Sequence, residues 1–559
     1  MPHSPSRLST AIALALGAGL AGPGAAQPFP AELNLADLDG TNGFVLNGEA
    51  ENDYSGWSAS AAGDVNGDGI DDLIIGAHQA DPGGVDRAGR SYVVFGTDSG
   101  IGSIELSSLN GVDGFQLNGE TPFDRSGYSV SAAGDVDGDG FDDLIIGAYG
   151  ANPNGTPDAG RSYVVFGTDS GVPSIQLSSL NGVNGFTVNG EIAYDYSGWA
   201  VSTAGDVNSD GFDDLIIGAV SANPNGFRSG RSYVVFGGDS NSPSVDLSSL
   251  NGVNGFKLNG EAAFDDSGFS VSTTGDVNGD GFDDLIIGAS SAAPNGNASS
   301  GRSYVVFGTD QVFPGEFDLS SLDGSNGFIL DGEEPLDRSG ISVSDAGDVN
   351  GDGIADLIIG ASGFARTSSD RAGRSYVVFG TDLGFPKELD LSSLNGVNGF
   401  ELTGGAPPDR TGRSVSAAGD VNGDGIDDLV IGAYRADVGG NERAGRSYVV
   451  FGTDRGFPGE LDFSNLDGSN GFRINGEATS GSGFSVSTAG DVNDDGIDDL
   501  IIGAPGFDVN GSSDAGRSYV VFGRATVDLA VTKTNGASFV DTGQTTTWTI
   551  EVRNASAVH

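Results

Sequence analysis

Seven times along this chain, oxygen-bearing side chains fall at positions 1, 3, 5 and 9 of a glycine-rich loop, first as Asp64, Asn66, Asp68 and Asp72. The same four positions hold Asp135, Asp137, Asp139 and Asp143, then Asp206, Asn208, Asp210 and Asp214, then Asp276, Asn278, Asp280 and Asp284. The last three copies are Asp348, Asn350, Asp352 and Asp356; Asp420, Asn422, Asp424 and Asp428; and Asp491, Asn493, Asp495 and Asp499. Hard oxygens suit Ca²⁺, which gathers carboxylates, amide oxygens and backbone carbonyls. Three or four carboxylates in one loop repel each other unless a divalent ion sits among them. The spacing therefore predicts up to seven Ca²⁺ sites with these side chains as ligands. The plainer account is that Asn, Asp and Gly only build tight turns, but a turn does not demand four oxygens at fixed spacing in every copy.

The spacing resembles the first part of an EF-hand loop, with Gly69 at position 6 for the sharp turn. Position 12 is Ile75, so the bidentate glutamate is missing, and the loop runs into an apolar stretch that reads as a strand. Asp72 would close the coordination shell from the strand edge. Position 8 varies, being Ala355 in the fifth copy, as expected if it points away from the ion. By linkage each site adds about 2.7 kcal/mol when free Ca²⁺ is 100 times its dissociation constant. Calcium is thus expected to act mainly as a stabiliser.

The loops sit in a larger repeat. Their leading aspartates recur every 70 to 72 residues, each copy reading like Gly63-Asp64-Val65-Asn66-Gly67-Asp68-Gly69-Ile70-Asp71-Asp72-Leu73-Ile74-Ile75-Gly76-Ala77. A block like Gly89-Arg90-Ser91-Tyr92-Val93-Val94-Phe95-Gly96 follows, and then one like Gly114-Phe115-Gln116-Leu117-Asn118-Gly119-Glu120. The apolar runs are short and rich in β-branched or aromatic residues, with Gly, Asn and Asp between them, so each unit reads as four strands. The predicted fold is all-β, a seven-bladed β-propeller of four-stranded blades with little helix. A linear solenoid is the competing architecture, but its turns are usually shorter than such a unit. The block at 32–49 precedes the first loop and nothing like it follows Phe522. A strand near Phe44 to Leu46 is therefore expected to complete the last blade, residues 483–523, and remove an exposed edge.

Composition narrows the function. Lys and Arg number 25 against 78 Asp and Glu, a net charge of −53 that argues against nucleic acid or an anionic membrane as partner. Seven Ca²⁺ would leave −39. With no cysteine there is no disulfide framework and no thiolate site. Of three histidines, His3 and His559 lie at the ends, so only His78 is placed to serve a folded site and Ser-His catalysis is nearly excluded. Residues 1–26, with Arg7 before an apolar run and small residues up to Ala26, read as a secretory signal peptide. No window is long and apolar enough for a transmembrane helix. The propeller is expected over 27–525. The tail, 526–559, alternates apolar and polar residues, is expected to form a short β stub, and looks like the start of an immunoglobulin-like surface-protein repeat.

The units resemble the FG-GAP repeats of integrin α-chain propellers and their bacterial relatives, on the strength of Gly-Asp-Val-Asn-Gly-Asp-Gly-Ile-Asp-Asp-Leu-Ile-Ile-Gly-Ala over residues about 32 to 525. The Gly-Ala-Pro element survives intact only at Gly503-Ala504-Pro505, and Phe-Gly is replaced by Ser-Gly plus an aromatic, as at Ser55-Gly56-Trp57. The resemblance implies calcium in loops on one face and a protein or glycan ligand on the opposite face. The expected function is a secreted or cell-surface, calcium-binding, non-catalytic module for adhesion or ligand recognition. A propeller accompanying a hydrolase and a purely structural surface-layer component are the alternatives. Oligomeric state is not legible.

Other repeated residues have two readings each. Arg90, Arg161, Arg231, Arg302, Arg374, Arg446 and Arg517 precede the Ser-Tyr-Val-Val strand, and strict repetition favours structural pairing with neighbouring Asp over contact with an anionic ligand. Trp57, Tyr128, Trp199, Phe269 and Phe484 are expected to pack blade on blade, a series broken by Ile341 and Arg413. The loops Gln79 to Ala88, Gly150 to Ala159, Arg435 to Ala444 and Gly506 to Ala515 diverge most, which marks either binding or drift.

Overall fold

The computed structural model describes residues 29–100, 102–238, 242–363, 372–406, 408–525, 529–534 and 549–554. In the first repeat, strands Ser58–Gly63, Asp72–Ala77, Arg90–Val94 and Gly114–Asn118 pair antiparallel in that order, with Ile75 opposite Tyr92 and Val93 opposite Phe115. The arrangement recurs in seven sheets, which makes the seven-bladed, all-β propeller.

Asp72–Ala77 is buried along its whole length, which explains why it reads as a continuous apolar run. Its sheet is covered on both sides by neighbouring blades. Ile74 and Val93 pack with Leu144 and Ile146 of the second blade, whereas Leu73 and Ile75 pack with Ile501 and Val520 of the seventh. The core is thus a set of layers between blades, each dominated by buried aliphatic surface.

The ring closes as its sequence predicts. Gly43–Asn47 pairs antiparallel with Arg517–Val521, placing Phe44 opposite Val520 and Leu46 opposite Ser518. One feature differs from the expected four-stranded blades: each sheet has a fifth, outermost strand. Ser174–Gln176, for example, lies between strands of the second blade in sequence but runs parallel to Gly114–Asn118 of the first. Glu32–Asn34 does the same for the sixth blade. These strands are two or three residues long, too short for an alternation to show.

Among the described residues, helix is limited to single 3₁₀ turns such as Leu106–Ser108, and no helix is long and apolar enough to cross a membrane. In the tail, Leu529–Thr534 pairs antiparallel with Thr549–Asn554. The expected leader, 1–26, lies outside the described residues.

Because the strands alternate in direction, the connections separate by face. The aspartate loops follow the innermost strands and share one face with the long links after the third strands. The loops after the second and fourth strands lie on the opposite face.

Candidate metal loops and the opposite face

Each aspartate loop is organised by its first residue. Asp64 accepts the backbone N–H groups of Gly67 (2.7 Å), Asp68 (3.0 Å) and Gly69 (2.8 Å), the turn chemistry that suits Asp in tight loops. Position 5 does likewise, with Asp68 accepting from Ile70 at 3.0 Å. Position 9 heads the second strand. Asp72 is fully buried and accepts the N–H groups of Val65 (3.1 Å) and Gly96 (2.9 Å). The Asn66 amide lies 3.4 Å from it. The pattern recurs at Asp206 with Asp214, Asp276 with Asp284, Asp348 with Asp356, Asp420 with Asp428, and Asp491 with Asp499. Positions 3 and 5 close the same turns: Asn208 and Asn278 face their position 9 carboxylates, and Asp210 and Asp280 accept from their own loops. Asn350 with Asp352, Asn422 with Asp424, and Asn493 with Asp495 repeat this.

In the second loop position 3 is an aspartate, and Asp135, Asp137 and Asp143 bring carboxylate oxygens within 4.8 Å of one another. Asp139 there accepts from Phe141 at 3.0 Å. Among the described residues this is the one such acidic group; elsewhere position 3 is asparagine. Position 8 turns away from its own loop, as its variability suggested.

Electrostatics makes position 9 the tense point. Burial, opposed by the Gly96 N–H and reinforced by Asp68 and Asp64, pushes the Asp72 carboxyl up to about 8. Asp143, Asp214, Asp284, Asp356 and Asp499 are pushed as far, chiefly by burial, and Asp428 well above the usual range. A divalent ion would offset the cost of burying them as carboxylates and the lesser repulsion from their loop partners. All donors are hard oxygens, and a carboxylate oxygen that accepts one N–H keeps a second lone pair, so the donor set fits Ca²⁺. The residues that would hold it in each loop are those at positions 1, 3, 5 and 9.

The opposite face carries the residues after Ser-Gly, or after Thr411-Gly412 in the sixth repeat. Trp57, Tyr128, Trp199, Phe269, Ile341, Arg413 and Phe484 collar the mouth of the central channel. Their contacts are blade on blade: Trp57 with Tyr128 (5.7 Å between centroids), Tyr128 with Trp199 (4.9 Å), Trp199 with Phe269 (5.9 Å) and Phe484 with Trp57 (4.5 Å). Arg413 places its guanidinium 5.1 Å from the Phe484 centroid. His78 is buried against Trp57 and Tyr128. Burial first, then Arg125 and Arg87, lowers it to about 3. It is a neutral packing residue.

The arginine series is structural, as repetition suggested, but its main partner is glutamate. Arg161 binds Glu120 (3.2 Å) and Asn189 (3.0 Å), and Arg517 binds Glu477 (2.9 Å) and Asn47 (2.8 Å); Arg90 meets Glu49. The glutamate is the last residue of the Asn-Gly-Glu block, which was not singled out for this role. Also missed was a set of exposed side chains on this face: Phe123, Tyr194 and Phe264, each more than half exposed and at φ of 68°, 68° and 70°. Bulky residues rarely adopt that backbone. Their matching positions in successive repeats were the available signal.

The family comparison agrees with the repeats. The FG-GAP repeat profile matches residues 55–94, 126–165, 197–235, 267–306, 342–378, 411–450 and 482–521. Human phosphatidylinositol-glycan-specific phospholipase D is 28% identical over 418 residues, covering 71% of this chain and 46% of that protein. Integrin alpha pat-2 of Caenorhabditis elegans is 32% identical over 244 residues (43% and 18%), and integrin alpha-V of Gallus gallus 31% over 252 (44% and 21%). The chain thus spans under half the length of each. The crystal structure of the Vibrio cholerae biofilm matrix protein Bap1 is similar at 12% identity and a TM-score of 0.30, over 89% of this chain and 91% of that one.

Proposed function

We propose, from the premise that the chain belongs to the FG-GAP repeat family and forms its integrin-α-like propeller, that it is a non-catalytic ligand-binding module acting outside the cell or at its surface. Its ring is pinned by Ca²⁺ in the seven aspartate loops, and its ligand, a protein or glycan, meets the opposite face. The observation that carries the metal half is the position 9 series, seven buried carboxyls raised by burial and by their own loop partners. An unbalanced buried carboxylate is costly, and a cation at positions 1, 3, 5 and 9 balances it. The binding half rests on the exposed aromatics at unfavourable φ opposite those loops.

The test is direct. Purified protein equilibrated with Ca²⁺ and desalted should retain close to seven ions per chain by elemental analysis, and the Ca²⁺ form should adhere to at least one component of a matrix-protein and glycan array. Metal content near zero removes the calcium reading, and a silent array removes the binding reading.

A second reading places the chain beside a hydrolase, favoured by the 71% coverage in the phospholipase D match. Turnover of glycosides or lipids by the purified chain would put it first.

A further inference from the structure

On the top of the sixth blade the acidic character of this chain fails. Each repeat but one pairs its Ser-Tyr-Val-Val arginine with the glutamate of Asn-Gly-Glu, or of Asp331-Gly332-Glu333 before the fifth blade; before the sixth blade that block is Thr403-Gly404-Gly405, and Arg446 binds the side-chain oxygen of Asn475 at 3.0 Å and the Tyr448 hydroxyl, with Asp409 near enough to feel its charge. Nearby, Arg435 and Arg443 line a cavity of about 170 Å³ with Tyr434 and Phe484, completed by Thr479, Ser480, Gly481, Pro505 and Gly506. No carboxylate is among its lining residues, in a chain with 78 of them. Among the described residues none of Arg413, Arg435, Arg443 and Arg446 has a carboxylate within 4.0 Å. Asp437 accepts the backbone N–H of Arg443 at 2.9 Å, which fixes its carboxylate in the loop and outside the pocket lining.

Cations and rings alternate from the channel mouth outward. Arg413 lies over Phe484 (5.1 Å), Phe484 meets Tyr434 edge on (5.3 Å), and Arg435 lies 5.4 Å from the Tyr434 centroid. We infer that this pocket binds a uronate-bearing carbohydrate. A pyranose has an apolar C–H face that matches Tyr434 and Phe484, and its carboxylate matches a guanidinium fork. The remaining lining is hydroxyl and backbone, the usual complement for sugar hydroxyls. An acidic peptide fits less well, because this face consists of loops with no free strand edge to pair with.

The inference rests on the ligand-binding reading above and deepens it to one pocket and one ligand class. Isothermal titration with a hyaluronan octasaccharide and with its carboxyl-reduced counterpart tests it on the full chain. The acidic sugar should bind at least tenfold more tightly than the neutral one, and R435Q/R443Q should lose at least tenfold with an unchanged melting temperature. R443Q alone, at an exposed side chain, should lose part of that and covers the case in which the double variant misfolds. R455Q/R524Q, on the aspartate-loop face, should bind as the parent does. Equal binding of the neutral sugar, or full displacement by an equally charged oligoglutamate, overturns the assignment. So does loss of binding in R455Q/R524Q but not R435Q/R443Q, which would leave the general binding reading standing. Absence of sugar binding in a chain that still adheres to the array likewise sinks only this pocket, whereas a silent array sinks both.

Discussion

The carboxylate of Asp142 accepts the backbone N–H of Asp64 at 2.8 Å, although the two residues lie 78 positions apart in neighbouring blades. Gly63 makes room for it: at φ 71°, any Cβ there would stand 2.3 Å from the Asp142 carboxylate. The same bond joins Asp213 to Asp135, Asp283 to Asp206, Asp427 to Asp348 and Asp498 to Asp420. Asp71 joins to Asp491 across the closure of the ring. Position 8 thus ties each candidate metal loop to the one before it. The link is missing at one junction, where Ala355 faces Gly275.

Removing a link should loosen the ring. D142A deletes a charge-assisted bond and leaves the Asp64 N–H without it, a loss of about 2 kcal/mol. A355D supplies the missing acceptor to Asp276 and should raise stability by up to about 1 kcal/mol, the ordinary net value of one hydrogen bond. Denaturant titration of both variants checks the pair. Equal stability of D142A and its parent would make the link incidental.

Single loops should titrate out one at a time. D143N removes one carboxylate from the Asp135, Asp137 and Asp143 group, so elemental analysis should find one Ca²⁺ fewer per chain. Chelator should lower the melting temperature of the parent and of D143N, the parent by more. An identical Ca²⁺ content in the two proteins would take position 9 out of the ligand set.

Much of this was legible in the sequence, and what escaped has a common cause. The period of 70 to 72 residues and the unmatched block at 32–49 led to the blades and their closure because both are statements about order along the chain. The partners of Arg161 and of Asp142 were not legible, since Glu120 and Asp64 lie 41 and 78 positions away in neighbouring repeats. Every copy offers the same residue types, so spacing cannot say which copy meets which. Strands such as Ile104–Glu105 were missed because two residues carry no period. The basic pocket on the sixth blade had a signal, the change from Asn-Gly-Glu to Thr403-Gly404-Gly405, whose meaning depends on knowing that the glutamate binds an arginine.

Acid should stabilise the chelated protein. Burial first, then Glu49, raises Asp53 to about 7, and burial raises Asp337 to about 7 against the pull of the Glu334 N–H and Arg374. Unfolded, both lose their protons near pH 4. Between about pH 4 and 7 the native state therefore holds more protons than the unfolded chain, so stability falls as pH rises through that window. The raised position 9 carboxyls act in the same direction when metal is absent. Melting temperatures in chelator should decline from pH 5 to 8. D337N, neutral at every pH and placed where Asp337 Oδ1 has no partner, should show a shallower decline and melt higher than the parent at pH 8. A parent melting temperature that climbs with pH in chelator would contradict the assignment.

Closure by the strand Gly43–Asn47 should matter more than any other single strand. Phe44 is 2% exposed and packs on Phe522 at 5.8 Å, and Leu46 is fully buried. The strand meets Arg517–Val521, 470 to 478 residues away, so its loss opens a ring, whereas loss of Gly255–Asn259 from an interior blade leaves the chain continuous on both sides of the gap. F44A removes a buried phenyl, about 3–5 kcal/mol by core precedent, and frees an edge that can pair with a second molecule. The matched interior change, F256A, removes a phenyl that is also fully buried and should cost a similar amount without freeing the first and last blades from each other. Limited proteolysis and light scattering separate the cases. F44A should be cleaved beside residues 523–526 and self-associate, while F256A should stay monodisperse. Matching cleavage and scattering from the two variants would mean that the fifth strands and the Asp71–Asp491 bond hold the ring without the N-terminal strand.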